Sequence, residues 1–277
     1  AYNLYQGSRS VRDQTVTKFL NTLHDSNYND KWNMQKIFVN EFASWIGTDM
    51  SEYDVDYSAG TTQSFDSFYL RHRNKKFRCY TGEYFYHLKT WTSNDMSWSF
   101  VTDIDPLQSG DALVLSFPFC DTGNFYDIDT ILNTCESLDI PVLIDMAYYP
   151  LTDAPTFRFL HTCINTIAFS LSKIFPIANY RIGVRYTKKD IYDGQKLHDN
   201  INYNNFASCY LGYELIKKYT VNYIASTYRQ KQLQVSKVFD IIPSDSVIFA
   251  LGNEDWNTYS RRTLLDAYKL QFAPENF

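Results

Sequence analysis

The 277-residue chain has only 10 glycines, about half the ~7% of an ordinary protein. No two lie closer than Gly183 and Gly194, so neither a GxGxxG dinucleotide turn nor a GxxxxGK phosphate loop can be written anywhere in it. That argues against fingerprint-type NAD binding and P-loop chemistry. Long apolar runs are lacking too. None reaches the ~18 residues of a membrane helix, and the N-terminus has no charged start followed by an apolar stretch, so a soluble, unprocessed, cytoplasmic protein is expected. The five cysteines are an odd number with no CxxC pair, which points to a reducing compartment. The five histidines show neither metal-ligand spacing nor a partnered nucleophile, and no metal is expected. Positive charge is also scarce: the formal net charge is −5. The densest basic cluster, Arg71, Arg73, Lys75, Lys76 and Arg78, is short and mixed with His and Phe, so no nucleic-acid partner is indicated.

What the chain does have is 44% hydrophobic residues, enough for a sizeable core. Trp32, Ile37, Phe38, Phe42 and Trp45 fall at helical spacing before Gly47, a helix stop. A strand-like Tyr53 to Tyr57 runs into Ser58, Ala59, Gly60, Thr61 and Thr62, followed by a helical stretch to about Arg73. Three short apolar runs, Asp111 to Pro118, Pro141 to Asp145 and Ile164 to Ser170, end in polar residues, and a helical segment from Asp127 to Leu138 separates the first two. Such runs are what parallel strands covered on both faces look like. The fold expected is three-layer α/β/α with a mostly parallel central sheet. From Tyr203 to about Ile242 the pattern predicts one long helix, then a strand at Val247 to Leu251 and a final helix from Thr258 to Leu270, a small reduced C-terminal subdomain. The boundary is placed at 187/188.

In open α/β sheets, ligands bind beyond the carboxyl ends of the strands. The residues there are Gly60-Thr61-Thr62, then Cys120-Asp121-Thr122-Gly123, Asp145 with Tyr148, Ser170 with Ser172 and Lys173, and Arg181 with Gly183. Hydroxyls at a helix start, an aspartate ending a buried strand, a tyrosine, a lysine and an arginine suit an anionic, phosphorylated, nitrogen-containing cofactor.

These residues resemble the fold-type-I pyridoxal-phosphate enzymes, within them the class I/II aminotransferases such as the aspartate and histidinol-phosphate enzymes. The resemblance covers about residues 27–185, and its strongest parts are Val142 to Tyr148 and Ser170 to Lys173 followed by Arg181 to Gly183. It implies pyridoxal 5'-phosphate held as an imine on Lys173, which then shuttles the substrate's α-proton, with Arg181 close enough to lower the lysine's pKa. It implies Asp145 at the pyridinium nitrogen, Tyr148 at the ring hydroxyl and Tyr84 stacked on the ring. Gly60, Thr61, Thr62, Ser170 and Arg181 would form the phosphate cup. Tyr28 would reach the phosphate of the neighbouring subunit, making the protein a homodimer with shared active sites. Cys120 stands at the family's asparagine and Asp121 at its proline, and a thiol is a weak donor. For the substrate carboxylate the best candidate is Arg262, with Arg261 and Arg12 behind it. The reaction so implied is transamination between an amino donor and a keto acid or other carbonyl acceptor. An amino-acid decarboxylase or lyase on the same scaffold, and a binding protein that keeps the pocket without turnover, are the alternatives.

Overall fold

A computed structural model describes residues 10–23, 32–155, 160–260 and 268–273. The three apolar runs are strands β4 (Asp111–Ser116), β5 (Val142–Asp145) and β6 (Ile164–Ser170), parallel to one another. They are the centre of a seven-stranded sheet whose other strands are β1 (Tyr53–Ser58), β2 (Lys76–Cys79), β3 (Trp98–Phe100) and β7 (Gly183–Lys188). The order is β1-β7-β6-β5-β4-β2-β3, and β7 runs antiparallel to both of its neighbours. Along the central strands the side chains divide by the two-residue period of a strand. Leu113, Leu115, Val142 and Ile144 enter one core, whereas Ala112, Val114 and Leu143 enter a second on the opposite face. This is why the runs are apolar throughout.

Helices α1 (Gln14–Leu20), α2 (Met34–Ile46) and α5 (Ile128–Ser137) bury residues in the first core. Helices α3 (Thr61–Arg71) and α4 (Phe85–Ser93) form the second, around Phe65, Phe68, Tyr69 and Trp91. Gly47 ends α2 in a left-handed conformation, φ +67°, as its place after the last apolar residue requires. The three-layer α/β/α architecture with a mostly parallel sheet is therefore observed.

Beyond β7 the chain forms α6 (Gly194–Asn200), α7 (Phe206–Lys218) and α8 (Tyr223–Phe239). The single long helix expected over 203–242 is thus two. At Tyr219 the backbone turns extended, φ −119° and ψ 136°, while Trp45 Nε1 donates to its carbonyl at 2.7 Å and its ring packs 4.6 Å from that of Tyr223. An aromatic docking site outside the helix overrides local propensity. The expected helix over 258–270 is also corrected. Residues Glu254–Tyr259 form a 3-10 turn, and Tyr268–Gln271 is strand β10. It pairs antiparallel with β9 (Phe249–Gly252), which pairs in turn with β8 (Ile242–Pro243). The intervening 261–267 lie outside the described residues.

Candidate active site

Parallel strands bring their carboxyl ends to one edge of the sheet, and Ser116, Asp145 and Ser170 sit there, Ser116 in register with Asp145. Because β7 is antiparallel, it starts at the same edge: Gly183 pairs with both Ser170 and Ser58. Arg181 is thereby delivered beside the N-terminus of α3. The resulting cleft, about 660 Å³ including its open mouth, is lined by Lys173, Asp145, Tyr148 and Tyr84 on one part. Thr61, Thr62, Ser170, Ser172 and Arg181 line another, and Ser116 and Cys120 a third.

The hydroxyl-and-guanidinium end has the makings of an anion site. Thr61 and Thr62 open α3, where backbone N–H groups lack helical acceptors. Arg181 Nη2 donates to Thr62 Oγ1 at 3.3 Å, and Tyr57 Oη donates to the Arg181 carbonyl at 3.0 Å. Ser170 Oγ accepts the Ser172 N–H at 3.1 Å, while the buried Ser172 Oγ has no hydrogen-bond partner among the described residues. Gly60 makes the approach possible. Its φ of +77° with ψ of 173° is a region essentially closed to other residues, and a Cβ there would lie 2.4 Å from Arg181 Nη2. Gly60→Ala is expected to cost about 1–3 kcal/mol of stability and, by displacing the guanidinium, to weaken inorganic phosphate binding by roughly tenfold. Calorimetric titration with phosphate and thermal melts of the variant check both.

At the other end Asp145 is 7% exposed. Its Oδ1 accepts the Ala147 N–H at 3.0 Å. Burial pushes its carboxyl up to about 7, against the pull of that hydrogen bond and of the Lys173 charge. Lys173 is half-buried, and its carbonyl accepts the Val11 N–H at 3.0 Å. Tyr148 is 9% exposed, with its ring edge-on to Phe249 at 5.1 Å. Tyr84 caps the start of α4 and stacks on Tyr86, ring centroids 6.0 Å apart. Burial raises the Cys120 thiol to about 12, although Lys269, whose Nζ donates to the Cys120 carbonyl at 2.7 Å, acts the other way.

No protein-family model and no curated protein matches the chain. Solved structures do. A histidinol-phosphate aminotransferase from Clostridium acetobutylicum superimposes with a TM-score of 0.62 at 15% identity, over 88% of this chain and 81% of that one. An aromatic aminotransferase from Pyrococcus horikoshii gives 0.68 at 12% identity, over 98% and 90%. The chain has a fold-type-I aminotransferase fold. The fold is shared more widely: an L-threonine-O-3-phosphate decarboxylase from Porphyromonas gingivalis gives 0.65 at 14% identity, over 95% and 94%.

On this aminotransferase fold, nine of the expected residues line the one cleft: Thr61, Thr62, Tyr84, Cys120, Asp145, Tyr148, Ser170, Lys173 and Arg181. Gly60 lies directly behind Arg181. Arg12 is exposed and is not part of the cleft lining. Tyr28, Arg261 and Arg262 lie outside the described residues. Sequence reasoning missed Ser116, although it is the polar residue ending β4, the same signal that picks out Asp145 and Ser170. It also missed Glu83, which no spacing marks. Among the described residues there is no cluster of three or more potential metal ligands, and no helix is long and apolar enough to cross a membrane.

Proposed function

We propose that the protein is a pyridoxal-phosphate-dependent aminotransferase, moving an amino group between an amino donor and a keto acid or other carbonyl acceptor. The observation that carries this is the meeting, in one cleft, of Lys173, the buried Asp145 and a cup of hydroxyls with Arg181. The residues fit the cofactor. The unpartnered Ser172 Oγ and the open N-terminus of α3 offer donors to a phosphate, Arg181 offers it a charge-assisted bond, and Asp145 offers a carboxyl with room for one proton. When bound, pyridoxal phosphate supplies an electrophilic aldehyde and a ring that takes up electrons released at the substrate's α-carbon.

The chain's own residues do the rest. Lys173 Nζ would hold the cofactor covalently and, once the substrate amine has replaced it, would take the proton from the substrate α-carbon and deliver it to the cofactor's former aldehyde carbon. Asp145 would hold a proton at the ring nitrogen, Tyr148 would donate to the ring oxygen, and Tyr84 would pack against the ring. Cys120 brings a weak donor where an amide would orient the substrate, so that wall of the cleft selects by shape more than by hydrogen bonding. The proposal includes a cytoplasmic homodimer in which Tyr28 completes the neighbouring cup and Arg262 receives the substrate carboxylate. It divides the chain at 187/188, with the cleft in 1–187 and the reduced subdomain in 188–277.

A screen of amino acids, amines and amino sugars against the cofactor-loaded protein tests the reaction. Stoichiometric conversion of the cofactor to its amine form by at least one donor is expected. Carbon dioxide release without that form would replace transamination by decarboxylation, and a spectrum that no donor perturbs would leave a binding protein.

A further inference from the structure

Glu83 lies in the loop between β2 and α4, one residue before the cleft-lining Tyr84. It is 8% exposed, and both its carboxyl oxygens bond Ser116. Oε1 accepts the Ser116 N–H at 2.8 Å, and Oε2 lies 2.5 Å from Ser116 Oγ. Ser116 Oγ also accepts the Cys120 N–H at 2.7 Å. A single carboxyl therefore ties together the Tyr84 loop, the end of β4 and the Cys120 turn, three walls of the cleft.

Its surroundings bear on its charge. Among the described residues no Lys, Arg or His forms an ion pair with Glu83. The titratable groups that face it are Asp145 from β5, Cys79 from β2, and Cys120 and Tyr126 from the segment after β4. All of these become negative when they ionise. A second carboxylate enclosed beside Asp145 without a cation is costly. Burial, with the Asp145 charge adding to it, raises the Glu83 carboxyl to about 8 even though the hydrogen bonds from Ser116 and from the Tyr84 backbone pull the other way. A serine hydroxyl has two lone pairs, so Ser116 Oγ can accept from a protonated Oε2 and from Cys120 N–H together.

We propose that Glu83 is a positioning residue of the cleft: as a neutral acid it holds Ser116 through both carboxyl oxygens, fixing the Cys120 turn without placing a second negative charge beside Asp145. The purpose assigned to this arrangement rests on the cofactor reading of the cleft, but the arrangement can be tested without cofactor. Glu83→Gln keeps an acceptor and a donor in place and adds no charge, whereas Glu83→Ala removes both.

The first readout is alkylation of Cys120 in the cofactor-free protein, since the other four cysteines are buried. Loss of the tether is expected to speed labelling about tenfold in Glu83→Ala and to leave Glu83→Gln within about twofold of wild type. The second is the pH midpoint of the visible absorbance of bound pyridoxal phosphate, which should hold in Glu83→Gln and move in Glu83→Ala. Labelling of Glu83→Ala at the wild-type rate overturns the proposal, as does labelling of Glu83→Gln as fast as Glu83→Ala, which would assign the holding to an ionised carboxylate. If Glu83→Ala does not fold, Ser116→Ala cuts the same tether one residue along and must label faster in the same way. A protein that binds no pyridoxal phosphate fails the function proposed above, while the labelling rates still judge Glu83.

Discussion

Replacing Lys173 with alanine is expected to abolish borohydride trapping of pyridoxal phosphate on the protein and to lower transamination by at least about 10⁴-fold. Both losses follow from one amine doing two jobs, covalent anchor and proton carrier. The backbone that presents it is pinned independently of the side chain. The Lys173 carbonyl accepts from Val11 N–H at 3.0 Å, the Ser172 carbonyl accepts from Ser10 Oγ at 2.5 Å, and Ser170 Oγ holds the Ser172 N–H at 3.1 Å. The variant should therefore fold, and its melting temperature without cofactor should stay close to that of wild type. It should also retain weak, reversible affinity for the cofactor, because the anion cup around Arg181 is untouched. Reduction followed by peptide mass mapping decides the matter. Covalent cofactor found on Lys173→Ala at the wild-type level would sink the assignment of the anchor.

The centre of the fold is legible because it is buried on both faces. A strand such as Leu113 to Leu115 divides its side chains between two cores, and the sequence records that as an unbroken apolar run. The strand ends are legible for the opposite reason. Asp145 and Ser170 are polar where apolar residues would otherwise continue, and only a site or a cap calls for that. Beyond the three central strands there is no such contrast. In β2 the fully buried Arg78 pairs with Asp111 at 2.7 Å, so a core strand reads as part of a basic cluster. Glu83 reads as a turn residue between Gly82 and Tyr84, because its burial comes from Ser116, 33 positions away. The C-terminal strand β10 is set by pairing with β9, a long-range contact that overrides the local helical spacing.

Asp145→Asn should separate the electrostatics of the site from its shape. The amide oxygen can still accept from Ala147 N–H, so the turn after β5 should survive, but the side chain can no longer balance a protonated ring nitrogen. Turnover is expected to fall on the order of 10²- to 10³-fold, the usual worth of one preorganised partner at a developing charge. The pH dependence gives a sharper signature. In the cofactor-free cleft burial raises Asp145 to about 7. Free pyridoxal phosphate already carries a proton on its ring nitrogen near neutrality, so the form of Asp145 that receives it is the carboxylate. Above about 7 the carboxyl is ionised and this contribution is flat; below it a proton must be expelled, so wild-type affinity for pyridoxal phosphate should decline by up to about tenfold for each unit the pH falls. Asp145→Asn has no carboxyl to titrate, and its affinity should lose that break. Dissociation constants measured by absorbance on both sides of neutrality test the sign directly: a wild-type affinity that does not fall below about 7, or an equal break in the variant, would remove Asp145 from the ring nitrogen.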